Sequence, residues 1–183
     1  MIKLHIKFNQ PLPLSDIFIP LIGEKKEVSI VDIGSGPYSV IGSYLPGVKV
    51  NVTHCDIQDF TDYWKKRGMT SVISVERQNM EKLTYPDDSF DIVHSMNGLD
   101  HTRDAKSSVE EMIRVCKPGG WIYVKCWLNQ LDTGYLHRWN AKEDGVFDNH
   151  KERFSLKDYG FDIKFTDNGG ESRQNFIIAT LKK

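Results

Sequence analysis

Two glycines and two carboxylates carry the chemistry that can be read most directly from this sequence. Gly34 and Gly36 stand where the apolar run Val28 to Ile33 ends and the chain turns, and the missing Cβ atoms let backbone N–H groups approach a ligand closely. Asp56 closes the next apolar run, 20 residues on from Gly36, with Ile57 beside it. That distance suits a carboxylate that accepts both hydroxyls of an adenosine ribose. Asp32, two residues before the first glycine, would repel a pyrophosphate but attract an ammonium. The loop holds no Lys or Arg, which suits a ligand carrying a positive sulfonium. These features describe a nucleoside pocket. The spacing Gly34-x-Gly36-x-x-Ser39 also fits a degraded nicotinamide-cofactor loop of an oxidoreductase, and a noncatalytic binding module on the same scaffold is a third reading.

The elements that must position these residues alternate. Val28 to Ile33, Val48 to Cys55, Ser71 to Val75, Phe90 to His94 and Trp121 to Trp127 read as five buried strands of a parallel sheet. Helical segments are expected between them, the clearest from Asp104 to Cys116, where Val109, Met112, Ile113 and Cys116 recur at helical spacing before Lys117-Pro118-Gly119-Gly120. Gly160 to Thr166 and Asn175 to Lys182 flank Asp167-Asn168-Gly169-Gly170 and read as a closing hairpin. The expected fold is therefore α/β, a doubly wound, mostly parallel seven-stranded sheet with a C-terminal antiparallel hairpin. Residues 28–183 form this domain. Residues 1–27, with a strand from Ile2 to Phe8 and then Pro11, Pro13 and Pro20, read as an arm. Such an arm is short for a full lid, so the site is expected to be open or completed by a second chain, as in a homodimer.

In this arrangement the chain resembles the class I, Rossmann-like, S-adenosylmethionine-dependent methyltransferases from about Glu27 to Trp127. Val31-Asp-Ile-Gly-Ser-Gly36 resembles the family's first motif and Asp56 its ribose carboxylate. Asn79-Met80-Glu81-Lys82-Leu83 looks like the segment that cups the adenine. Tyr85-Pro-Asp-Asp-Ser-Phe-Asp91, Asn97-Gly-Leu-Asp-His101 and Arg114-Val-Cys-Lys-Pro-Gly-Gly120 resemble later landmarks of the small-molecule branch. Tyr38, preceded by Pro37, stands where the family often has a third glycine, so its side chain would crowd or shape the methionine end.

The resemblance implies S-adenosyl-L-methionine as cofactor and a small-molecule methyl acceptor. It places Asn79 and Met80 at the adenine, although an Asn also ends strands and a Met also fills cores. Ser95, after the fourth strand, would face the methionine moiety. Methyl transfer is an in-line displacement that needs positioning and no covalent enzyme intermediate. A general base would serve a hydroxyl or protonated amine acceptor, and His101 beside Asp100 is the candidate, against a role in capping or turn packing. His137, Arg138 and Trp139 would hold a polar or anionic acceptor such as a sugar or phosphate derivative; burial of Trp139 as roof packing fits equally well.

Composition narrows the partners. The 183 residues suffice for one domain that buries roughly 70% of its unfolded surface. Lys and Arg number 24 against 25 Asp and Glu, so no basic field awaits nucleic acid, and Lys65-Lys66-Arg67 reads as a solvated helix end. Apolar residues never run on for the 18 or so positions of a membrane span. Cys55, Cys116 and Cys126 lack CxxC spacing and sit in or beside apolar runs, which favours a reducing, cytoplasmic setting and no structural metal.

Overall fold

The β-branched, apolar runs become strands because their side chains can be buried on both faces of a sheet. In the computed structural model, which describes residues 12–66, 73–128, 137–167 and 175–183, β1 (Glu27–Ile33), β2 (Lys49–Asp56), β3 (Val75–Arg77), β4 (Phe90–Met96) and β5 (Cys116–Trp127) run parallel to one another. Three short strands follow, β6 (Asn140–Ala141), β7 (Val146–Asp148) and β8 (Arg153–Ser155), and then β9 (Asp162–Thr166) and β10 (Phe176–Lys182). The main sheet has the order β3-β2-β1-β4-β5-β10-β9, with β10 antiparallel to both neighbours. Five parallel strands and a terminal antiparallel pair are the sheet expected from the sequence, except that the third strand lies at Val75–Arg77, past the expected run Ser71 to Val75, of which Ile73 and Ser74 are not strand. The expected strand Ile2 to Phe8, the start of the run Ser71 to Val75, and most of the hairpin turn lie outside the described residues.

Helices are sparser than alternation suggests. The helix α1 (Ile19–Ile22) and α2 (Thr61–Lys66) are short, and the connection from β1 to β2 has no helix. Gly42 and Gly47 take left-handed φ values there, and Pro46 adds a further break. Among the described residues, only α3 (Ala105–Val115) is long. Asp104 caps its start, accepting from the Ser107 amide at 3.1 Å, and Val109, Met112 and Val115 bury its inner stripe. Lys65 and Lys66 are exposed in the last described turn of α2, whereas Arg67 lies outside the described residues.

Two cores flank the sheet. Val31, Ile33, Val93 and Val124 pack on one face with α3, with Trp139 just before β6, and with Phe147 and Phe154 from the small antiparallel sheet β6-β7-β8. Val28, Ile30 and Ile92 pack on the other with Leu14, Phe18, Ile22 and Ile41. The segment read as an arm packs against the sheet from residue 14 onward, and Phe18 is completely buried. All three cysteines are free and buried, and burial pushes the Cys55 thiol up to about 12, so it behaves as a small hydrophobe. No helix of the described residues is long and apolar enough to cross a membrane.

Candidate active site

The strand order reverses between β1 and β4, and the carboxyl ends of the strands around that point open onto a cavity of about 570 Å³. Ile33, Gly34, Asp56, Ile57, Asn79 and Met80 line it from β1, β2 and the loop after β3, and Asn97, Gly98, His101 and Arg138 line it from beyond β4. Its size falls in the range of roughly 300–1,000 Å³ usual for cofactor sites.

The floor is backbone. Gly34 has φ 71°, and a Cβ built there would meet the Gly98 Cα at 3.4 Å. A Cβ on Gly98 would lie 2.7 Å from Ser95 Oγ and 3.0 Å from Met80 Cε. Two loops therefore approach as closely as glycine permits, leaving peptide groups facing a ligand. The Gly36 amide donates to Asp56 Oδ2 at 3.1 Å, and the Gln58 amide donates to Asp56 Oδ1 at 2.9 Å. These bonds draw the carboxylate to the glycine turn, while each oxygen keeps a lone pair for a ligand hydroxyl. Tyr38 leaves this turn open: its ring packs edge-on against Trp64, 4.7 Å between centroids.

The loop after β3 is held from α3. The Leu83 amide donates to Glu111 Oε2 at 2.7 Å, and Arg114 donates to the Leu83 and Tyr85 carbonyls. Glu81 Oε1 in turn accepts the Arg103 amide at 2.6 Å, tying the loop to the segment after β4.

Four expected contacts stand elsewhere. Asp32 does not reach the cavity: its carboxylate is 3% exposed on the opposite face, accepting from His94 Nδ1 at 2.7 Å and Ser39 Oγ at 2.8 Å. Burial alone would raise this carboxyl, but His54, His94 and Ser39 outweigh it and hold it far below the carboxylate range. The correction is one of direction along a strand, since Asp32 shares the side of Ile30 whereas Ile33 and Gly34 meet the cavity. Ser95 is fully buried beneath Gly98, with an Oγ that has no hydrogen-bond partner among the described residues. Trp139 is roof packing: it is fully buried and its Nε1 donates to the Thr102 carbonyl at 3.0 Å. His137 sits behind the wall, donating from Nδ1 to Asp100 Oδ2 at 2.6 Å. Gly36 reaches the site through its amide bond to Asp56 rather than as a lining residue.

Other wall residues escaped the sequence reading, namely Gln58, Gln78, Thr102 and Arg103, while Glu81 and Gly98 were read only as members of longer motifs. The dipeptide Asn97-Gly98 was the available signal, because such pairs mark turns of positive φ, and Asn97 indeed has φ 52°.

Comparison with known proteins gives this geometry a family. Residues 31–124, more than half of the chain, match the family model described as a methyltransferase domain. A ubiquinone/menaquinone biosynthesis C-methyltransferase of Shewanella sediminis is 30% identical over 109 residues, which are 56% of this chain and 43% of that protein. A sterol 24-C-methyltransferase of Aspergillus fumigatus is 29% identical over 112 residues, 58% of this chain and 30% of that one. The chain thus spans less than half the length of these curated relatives. Among solved structures, an S-adenosylmethionine-dependent methyltransferase from Methanosarcina mazei shares the fold with a TM-score of 0.56 at 18% identity, covering 93% of this chain and 99% of its own. One from Aquifex aeolicus gives 0.50 at 17%, covering 87% and 85%. Motif order, sheet order and family match agree, and the chain belongs to the class I S-adenosylmethionine-dependent methyltransferases.

Proposed function

We propose that this chain binds S-adenosylmethionine in the cavity between Gly34, Asp56 and Gly98 and transfers its methyl group to a small molecule. The observation that carries the reading is the Asp56 carboxylate, fixed on the cavity wall by the Gly36 and Gln58 amides with lone pairs left for two ribose hydroxyls. Ile57 supports it: this apolar side chain lines the cavity and is 58% exposed, an arrangement that a planar base would cover. Asn79 and Met80 form the facing edge, and the paired backbones of Gly34 and Gly98 lie beneath the amino-acid end.

When bound, the cofactor supplies a methyl carbon already activated by its sulfonium, so the chain's own residues have three tasks. Asp56 and the glycine floor hold the donor, the loop tied to Glu111 and Arg114 closes its adenine side, and His101, in the metal-free chain, accepts a proton from a hydroxyl-bearing acceptor. Arg103 and Arg138 add two guanidinium groups to the same wall, which supports an acceptor with an anionic or oxygen-rich group, such as a sugar or phosphate derivative. The names of the quinone and sterol relatives support a small-molecule acceptor in general. The segment 12–26 covers the other face of the sheet, so the site is open, or completed by a second copy, which sedimentation of the full chain distinguishes. Three buried free thiols are in keeping with a cytoplasmic setting.

A thermal-shift series tests the reading. S-adenosylhomocysteine at about 100 times its dissociation constant adds about 2.7 kcal/mol, enough to raise Tm visibly, while NADH leaves Tm unchanged. A shift with NADH and none with the nucleoside would overturn it. With an anionic acceptor in hand, Arg138→Met raises KM about tenfold with little change in kcat, and an unchanged KM removes Arg138 from the acceptor site.

A further inference from the structure

We propose that Asp100, His101 and His137 form a binding site for one divalent transition-metal cation at the edge of the cavity. One ligand atom from each residue lies within 4.8 Å of the others. Asp100 Oδ2 stands 2.6 Å from His137 Nδ1 and 3.9 Å from His101 Nε2. The second oxygen, Oδ1, is buried without a hydrogen-bond partner among the described residues, in a residue that is 1% exposed. A carboxylate so enclosed needs a compensating cation, and the basic side chains within 4 Å among the described residues are the two imidazoles.

The backbone prepares the cluster. The Arg138 and Trp139 amides both donate to the Asp100 carbonyl, at 2.7 and 3.0 Å, which pins the segment carrying His137 over the turn that carries Asp100 and His101. The two imidazole rings lie 4.4 Å apart at 36°, so their nitrogens converge on the same carboxylate. Two imidazoles and one carboxylate suit zinc, iron or cobalt, whereas magnesium and calcium prefer shells of oxygen. Three protein ligands also leave room for an exchangeable one, and His101, 36% exposed in its side chain and part of the cavity wall, keeps the cluster open to solvent and acceptor. The site adjoins the cofactor cavity without depending on it.

Cobalt titration of the chelator-treated full chain tests the proposal. Wild type takes up one equivalent of Co²⁺ with visible d–d absorption, Zn²⁺ raises Tm, and Mg²⁺ does neither. His101→Ala and His137→Ala each weaken Co²⁺ binding about tenfold or more, whereas His150→Asn, at an exposed position of positive φ, leaves it unchanged. His101 is partly exposed, so its variant keeps the test valid should His137→Ala fail to fold. An absence of d–d bands in wild type, undiminished binding in His101→Ala, or an equal response to Mg²⁺ would overturn the proposal. The nucleoside thermal shift, measured on the same samples, reports the cofactor site separately.

Discussion

On one face of the sheet, Val31, Ile33, Val93 and Val124 meet α3 and the small sheet β6-β7-β8 in a broad core built chiefly from aliphatic and aromatic side chains. On the other, a smaller set around Phe18, Ile22 and Ile41 covers Val28, Ile30 and Ile92, and at its end lie Asp32, His54 and His94. The difference shows how one sheet divides its labour. The broad core supplies most of the apolar burial, while the smaller side uses a buried charged cluster to hold the loop behind the glycine turn through Ser39. Two carboxylates with similar sequence settings, each at the end of a strand, consequently do different work. Asp32 braces the turn from behind, and Asp56 meets it from the cavity.

This contrast can be broken on either face. Trp139→Ala empties the largest buried side chain of the broad core and costs about 3–5 kcal/mol in urea unfolding; a loss under about 1 kcal/mol would mean that β6-β8 is not part of that core. Asp32→Asn keeps the shape but weakens charged hydrogen bonds on the other side, a loss of about 1.5–3 kcal/mol at neutral pH. Because the folded carboxyl is depressed, its stability is fully present above the unfolded value of about 3.9 and disappears as pH falls through the lower folded one. The gap between wild type and Asp32→Asn therefore stays constant down to about pH 5 and narrows in stronger acid, and a gap that widens there would contradict the assignment. Asp104→Ala removes the α3 cap for about 1 kcal/mol, read as a Tm drop without loss of fold. Val40→Ser, 61% exposed beyond the braced loop, changes stability by less than about 0.5 kcal/mol.

The main sheet was legible because Val28 to Ile33 and Phe90 to His94 are β-branched, apolar runs of strand length, and α3 because its apolar stripe, Asp104 cap and Pro-Gly stop coincide. The strands of two and three residues in β6-β8 carry too few alternations to register, and their burial depends on Trp139 meeting Phe154. The missing helix after β1 was masked by the expectation that strands alternate with helices, although Pro37, Gly42, Pro46 and Gly47 argued against one. In the site, Asp56 and Gly34 could be placed because both end strands, where the fold itself fixes position. Asp32 could not, because a strand buried on both faces has no polar side to reveal which way an alternate residue points. Arg103 enters through a contact between distant loops, and sequence spacing carries no record of it.

Calorimetric titration of S-adenosylhomocysteine into the wild type, Asp56→Ala and Asp32→Asn compares the two carboxylates directly. The account predicts tight binding to the wild type, no measurable heat with Asp56→Ala, and retained, somewhat weaker binding with Asp32→Asn. Binding that survives in Asp56→Ala but vanishes in a folded Asp32→Asn would contradict it.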